Sequence, residues 1–548
     1  MTPITRTDQS ELIYLFEWTK IDLRPALQVD VVFRGEASGE SLIVLPDAAV
    51  NGGHLDRGFK NLEALTPDVR LFSVSDPTRR KAVHAPGEII HLRFNWVPTD
   101  SSTRERFDLH PVIEEAYCAF LAQSALIRPD WPEKREISFS VRWLKPPSDW
   151  IVFDSQKLNQ TTQSYSATFS KFGKIAFFGG DFRLDQNGSD SRLQIGIRGQ
   201  WPFPDEMAFA SVREQWKKMQ TFWGPDRPLP GLLVFLKSSQ DCCHFQGTAA
   251  LDSYIVTASA EEGWGPSIRE LLSDELFFYP IRKRSAAFSS WSLGLIRFFS
   301  RSLDLTSGTL SLETWISDLN HMLAEQSLSP ARLWPEAQLR TRSNEPWVRR
   351  QYYLRPDYFM QKILFDWLKS GHTIASLFDR LKQAAEVAGT EPFDQVLLKL
   401  IESDLKQPLL AEWKKHVIQG EPWTQDARLA GGCLDVMTRA QAPFDLGFDW
   451  ERSKVERRIR GLNSRTAAAQ AGLRNGQSLL RWKILFGDAE SPVELWVRSG
   501  HEEKYFRYHP RAQKTVKVPY FSAEGTAQAR SLQCLSRAGI QFLSVAAK

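Results

Sequence analysis

The sequence predicts a multidomain α+β protein, on three observations. Short runs that alternate apolar and polar residues, the mark of strands with one wet face, dominate as far as residue 198. Helix-like apolar spacing then prevails to about residue 425, and short strands with glycine turns return after 432. At 548 residues the chain is also too long for one core, which on size alone gives roughly three or four domains. The divisions read as a β-rich N-terminal domain at 1–198, an α/β domain with a helical lobe at 199–425, a small module at 432–512 and an extension at 513–548.

Composition narrows the function classes. Apolar content of 42%, with 19 Trp, 34 Phe and 11 Tyr, supports well-buried cores and excludes a disordered scaffold. A formal charge of +4 is close to balance for this size, and no basic groove interleaved with aromatics is visible, so no nucleic-acid partner is expected. The cysteines Cys118, Cys242, Cys243, Cys433 and Cys534 form no C-x-x-C pair and read as reduced thiols. Cys242 and Cys243 are adjacent, and neighbouring strand side chains point apart. No run of about eighteen apolar residues occurs, so no membrane span is expected. Met1 to Glu11 lacks a basic stretch leading into an apolar one, so the expected location is the cytoplasm.

In the N-terminal domain Leu27–Phe33, Ser41–Pro46, Ile89–Trp96, Ile137–Trp143, Ser164–Phe169 and Leu193–Ile197 read as strands, with Ile113–Leu126 as a helix. A β-sandwich-like domain is expected. The next domain opens near Gly199 with a helix over Met207–Phe222, stopped by the Gly- and Pro-containing turn at 224–230. Leu232–Leu236 and Ser253–Val256 follow as buried strands. His244 beside them is a lone histidine without spaced partners, and reads as structural rather than ligating.

The chemically suggestive stretch is Ser273-Asp274-Glu275-Leu276-Phe277-Phe278-Tyr279-Pro280, closing a helix-like run that begins near Pro266. It has the frame of the zinc-protease helix H-E-x-x-H with neither histidine. In that motif two imidazoles four residues apart share a helical face, and the intervening glutamate is general base to a zinc-bound water. Here Glu275 is retained, while Asp274 and Phe278 stand at the ligand positions.

The flanking sequence resembles the M61 family of metallopeptidases, the glycyl aminopeptidase-like group. The family helix commonly reads H-E-L-F-H-x-W and is followed by W-F-x-E-G-F-x-x-Y-Y. The second block falls on Ser290-Trp291-Ser292-Leu293-Gly294, placing Leu293 where the family has its third zinc ligand, a glutamate. Upstream, Gln246-Gly247-Thr248-Ala249-Ala250-Leu251-Asp252-Ser253 fits the family's edge-strand motif G-G-L-E-H-x-x-S, with Ala249 in place of the glutamate that holds a substrate amino group. Tyr352-Tyr353-Leu354-Arg355-Pro356 matches a block that often reads Y-Y-x-K-G, and a nearby tyrosine helps stabilise the oxyanion in related enzymes, which singles out Tyr353. The resemblance implies a β-rich N-terminal domain, a thermolysin-like domain and a PDZ domain.

Beyond the motif the chain reads as helices. One enters through Ser307–Trp315, with Ser311 or Thr309 as cap, and runs to Gln326. Others cover Phe359–Leu368, Thr373–Ala388, Phe393–Leu400 and Leu409–His416. In the C-terminal module Leu446-Gly447-Phe448 resembles the PDZ carboxylate-binding loop, in which a glycine lets backbone N–H groups converge on a terminal carboxylate and the next strand offers an edge to peptide. Val455–Ile459 reads as that strand, and Thr466–Gln477 resembles the short PDZ helix with its turn. Val493–Val497, Thr515–Phe521 and Ile540–Val545 read as further strands.

Ligand chemistry sets the functional expectation. A catalytic zinc takes three protein ligands and an open water position, and neither Phe278 nor Leu293 carries a lone pair. Without the ion Glu275 has no acidified water to deprotonate. The expectation is a catalytically inactive M61-like pseudoenzyme that needs no cofactor and binds a peptide or protein C-terminus through 446–448 or the old cleft. Two alternatives stay open: an active zinc aminopeptidase with atypical ligands, or a structural assembly subunit, including a homo-oligomer.

Overall fold

The computed structural model describes residues 10–46, 58–98, 111–155, 160–185, 192–237, 245–258, 266–284, 288–343, 345–422, 435–500 and 502–522. It is a mixed α+β chain of two compact units, Met1–Leu276 and Phe277–Lys548, and the division falls inside a helix, Pro266–Arg284. Among the described residues no helix is long and apolar enough to cross a membrane.

The first unit begins with a six-stranded sheet. Across it run Thr162–Thr168, Glu136–Leu144, Leu12–Ile21, Arg24–Arg34, Ile89–Trp96 and Phe59–Ala64. Alternation drives it: Ile137, Phe139, Val141 and Trp143 face the core while Glu136, Ser138, Arg142 and Leu144 are more exposed, though Ser140 is buried as well. Phe16 meets Phe120, Trp143 and Phe177 edge-on at 5.1–5.5 Å. Two four-stranded sheets accompany it.

The helix expected over Ile113–Leu126 is instead two strands, Val112–Glu114 and Tyr117–Leu121, followed by one helical turn at Ala122–Ala125. All five residues of Tyr117–Leu121 are buried, so the segment shows no alternation, and a short apolar run of that kind has no period to separate strand from helix.

A fourth sheet in this unit comprises β1 (Arg183–Leu184), β2 (Gln194–Arg198), β3 (Leu232–Lys237), β4 (Phe245–Ala250) and β5 (Ser253–Ala258), in the order β1-β2-β3-β5-β4. The strand read at Leu193–Ile197 therefore pairs with β3, beyond the division drawn at 199. β2, β3 and β5 are parallel, and the crossover from β2 to β3 is the helix α1 (Asp205–Trp223). Asp205 and Glu206 sit in its first turn, where the helix dipole favours negative charge, and Gly224 ends it at φ 90°. Antiparallel β4 forms one edge of the sheet.

The helix α2 (Pro266–Arg284) leads into α3 (Ser292–Thr306), α4 (Leu312–Leu328), α5 (Gln351–Lys369), α6 (Ile374–Val387) and α7 (Phe393–Leu405). Ser311 caps α4 by accepting from the Thr314 N–H at 3.2 Å, and Thr373 with Ser376 forms a capping box on α6. The helix expected over Leu409–His416 is Leu409–Trp413 followed by a wider turn, Lys414–Ile418. In the buried seam between α3 and α5, the Arg301 Nη1 lies 3.3 Å from Asp357 Oδ2, and Gln361 Nε2 donates to Asp357 Oδ1 at 3.2 Å. Among the described residues the fully buried Arg355 pairs with no carboxylate; its guanidinium donates to the carbonyls of Val417, Ala331, Arg332 and Trp334 at 2.6–3.1 Å.

The C-terminal module contains β6 (Asp435–Gln441), α8 (Trp450–Glu456), α9 (Ala467–Gln470), β7 (Ser478–Lys483), β8 (Val493–Ser499), β9 (Glu502–Tyr508) and β10 (Val516–Ser522). β7, β8 and β9 form an antiparallel sheet over a core that includes Leu446, Phe448, Leu479 and Leu495. β10, assigned to the extension, pairs with β6, and Asn320 on α4 exchanges two hydrogen bonds with the Phe521 backbone. The strand expected at Val455–Ile459 is absent. Asp449 accepts from the Arg452 N–H at 3.1 Å and starts α8, which ends at Arg457 in a left-handed conformation, φ 51°. The strand read at Ile540–Val545 lies outside the described residues.

Candidate functional site

Helical period puts Asp274 and Phe278 one above the other on α2. Asp274 is half-buried and Glu275, beside it, is only 9% exposed. Leu272, Leu276, Phe277, Tyr279 and Ile281 are buried and hold the helix in place. Gln215 on α1 donates to the Ser273 hydroxyl at 2.7 Å, which fixes the rotation of α2 at this turn.

Phe278 is part of an aromatic cluster. Its ring meets Phe288 edge-on at 4.9 Å, and Phe288 lies 6.3 Å from Phe393 at the start of α7. One turn further along α2, the Arg282 guanidinium sits 5.6 Å from the Phe278 ring centre and 5.3 Å from that of Tyr279. A fixed positive charge therefore lies against the position where the motif would carry its second imidazole.

Leu293 is in the first turn of α3 and 37% exposed. The next residue, Gly294, lies so close to α5 that a Cβ there would stand 2.5 Å from the Tyr353 carbonyl oxygen. This contact brings the helices carrying Leu293 and Tyr353 together. Tyr353 is half-buried, and its backbone N–H donates to the Arg350 carbonyl. Ala249 lies on the edge strand β4, exposed, opposite Tyr254.

The donor set does not fit zinc: an Asp carboxylate, a phenyl ring under a guanidinium, and an isobutyl group cannot replace two imidazoles and a carboxylate. Among the described residues no group of three His, Cys, Asp or Glu side chains could hold a metal ion. His244, Cys242, Cys243, Cys433 and Cys534 lie outside the described residues. Cys118 is a fully buried thiol whose pKa burial pushes up.

Sequence reasoning missed Asp394, in the first turn of α7 and 2% exposed. The Ser292 hydroxyl, beside Leu293, donates to its Oδ1 at 3.3 Å. Burial raises its pKa above the ordinary 3.8, outweighing the hydrogen bonds from Ser289 and Ser292 that lower it. A raised carboxyl pKa means that ionisation costs stability above the folded pKa, and that this cost disappears as pH falls through it. Asp394→Asn is therefore expected to match or exceed the parent's stability at neutral pH. The difference should shift in the parent's favour as pH falls toward 3.8, read as urea midpoints across that range.

In the C-terminal module the loop Leu446-Gly447-Phe448 is satisfied by its own chain. The Gly447 N–H donates to Asp445 Oδ1 at 2.9 Å, the Gly447 carbonyl accepts from the Asn463 N–H at 2.9 Å, and Tyr508 donates to the Leu446 carbonyl at 2.8 Å. Leu446 and Phe448 are buried. The element after the loop is the helix α8, so no strand edge follows Gly447 to receive a peptide.

No family model and no curated protein sequence matches the chain. Its fold is similar to the crystal structure of an aminopeptidase N family protein from Idiomarina loihiensis, with a TM-score of 0.67 at 12% identity, over 93% of this chain and 98% of that one. Two crystal structures of an M1 zinc metallopeptidase from Deinococcus radiodurans, one of them a mutant, match with TM-scores of 0.38 and 0.39 at 13% identity, over 76% of this chain and 96% of theirs. The chain has an aminopeptidase-like fold.

Proposed function

We propose that this protein is a catalytically inactive relative of the M61 metallopeptidases, a pseudoenzyme that binds a peptide or protein segment along the edge strand β4. The observation that carries the reading is the replacement of ligand chemistry on α2 and α3, with the Arg282 guanidinium stationed over Phe278 where a cation would have to be held. β4 is an edge with Ala249 exposed, and such an edge can pair with an extended backbone. The thermolysin-like domain and the PDZ-like module belong to this reading. The module serves it as scaffold, since the Gly447 amide is already engaged by Asp445.

The test is elemental zinc on protein purified without added metal, together with hydrolysis of aminoacyl p-nitroanilides. The expected result is zinc far below stoichiometric and no rate above background, with Glu275→Gln changing neither. One tightly held zinc per chain, or a rate that Glu275→Gln abolishes, would establish the alternative of an active zinc aminopeptidase.

The second reading is a structural assembly subunit, in which the C-terminal module is a fixed part of the chain. Trp347 stacks on Phe486 at 6.3 Å, and Arg342 reaches Glu451 at 2.9 Å, fastening the C-terminal module to the helical lobe. A light-scattering mass above that of one 62.6 kDa chain, unchanged by a disrupting Gly447→Trp substitution, would favour it.

A further inference from the structure

β9 ends the antiparallel sheet of the C-terminal module: β8 lies on one side of it, and among the described residues no strand lies on the other. It is seven residues long, pairs with β8 without a bulge, and exposes Glu502, Glu503, Lys504, Tyr505 and Arg507. An open strand edge is a template for another chain unless it is short, bulged, covered or made repulsive by charge. β9 does carry charge, so the outcome turns on what its charges would face.

They fit a copy of themselves. Two antiparallel copies of β9 related by a two-fold axis pair all seven residues in one register, with Glu502 opposite Tyr508 and Tyr505 opposite its own mate. That register sets Glu503 opposite the partner's Arg507, repeats the pair by symmetry, and brings no like charges directly opposite. Centring on Glu503, Lys504 or Arg507 would set that charge against itself and leave end residues unpaired. Glu503, Tyr505 and Arg507 share the solvent face of the sheet, because their β8 neighbours Arg498, Trp496 and Glu494 alternate with the buried Val493, Leu495 and Val497. On that face the Arg481 guanidinium lies 4.9 Å from the Trp496 ring centre, and Trp496 lies 5.1 Å from Tyr505. The row stops at the edge with Tyr505 51% exposed, and the pairing continues it through the partner's Tyr505. Glu503 has one contact to share, Arg481 at 3.4 Å, an exposed and therefore weak pair.

We propose that the chain self-associates through β9, as a symmetric dimer in which two three-stranded sheets become one of six strands. The occupant of the edge is a second copy of this chain. This gives the assembly reading a surface, and it stands whatever the state of the motif on α2.

The test is light scattering on the full chain over a range of concentrations, with circular dichroism to check that each variant is folded. The parent is expected to approach twice the 62.6 kDa of one chain as concentration rises. Glu503→Arg and Arg507→Glu each set like charges opposite one another twice in the pairing, and each should weaken association by about tenfold or more. Mixed in equal amounts, the two folded variants should dimerise again, because each supplies the charges that the other lacks. Neither misfolding nor a general change of surface charge would give that recovery. A parent that keeps the mass of one chain up to about 100 μM would overturn the proposal. A dimer that both variants leave intact, or a mixture that stays monomeric, would overturn this interface while leaving the assembly reading to its own test.

Discussion

Asp357→Ala is expected to cost about 3–5 kcal/mol of stability, the usual result of removing one partner from a buried ion pair. Asp357 is 2% exposed and Arg301 is 5% exposed, so neither charge can turn to water when the other is lost. After the substitution Arg301 keeps, among the described residues, the ion pair with Asp318 at 3.1 Å, whose side chain is 46% exposed and therefore a weaker, screened partner. Gln361 also loses the acceptor for its amide. The pair itself need not be a net source of stability, because desolvating two ions offsets most of their attraction. The double variant Arg301→Met with Asp357→Leu should therefore recover to within about 2 kcal/mol of the parent. Urea unfolding followed by tryptophan fluorescence reads both. A single variant that unfolds at the parent's midpoint would mean that the seam between α3 and α5 is wet.

Gly294→Leu is expected to cost about 3 kcal/mol, the upper end of overpacking in a core. Even a methyl group at this position would lie 2.5 Å from the Tyr353 carbonyl oxygen and 2.7 Å from the Pro356 Cβ. The obstacle is backbone and a ring, neither of which can swing aside, so α3 and α5 would have to part. Gly294→Ala should cost less, roughly 1–2 kcal/mol, because the better helix propensity of alanine returns up to about 1 kcal/mol of the overpacking term. The ranking Gly, Ala, Leu in thermal midpoint is the check. A Gly294→Ala variant as stable as the parent would show that these helices can separate at little cost.

Legibility in the sequence followed the range of the forces involved. Strands with one wet face, such as Ile89–Trp96, were readable because alternation is written in consecutive residues. α4 was readable from Ser311 for the same reason, since a cap acts over three residues. The Tyr117–Leu121 strand was not, because complete burial erases the period. The Val455–Ile459 segment lies behind a local helix signal: Asp449 followed by Trp450-Glu451-Arg452 is a helix start, and it outranks the β-prone ends of the segment. In the candidate site, the helical face shared by Asp274 and Phe278 follows from spacing alone, and so does the placement of Arg282 four residues after Phe278. Asp394 could not be read, because its hydroxyl donor at Ser292 is 102 residues away in the chain.

The arginine over Phe278 has a consequence for any attempt to engineer a metal site. A variant carrying histidine at 274 and 278 and glutamate at 293 would still place a guanidinium one helical turn beyond the second imidazole, where its charge would oppose a bound cation. A metal site built there would therefore also require a substitution at Arg282.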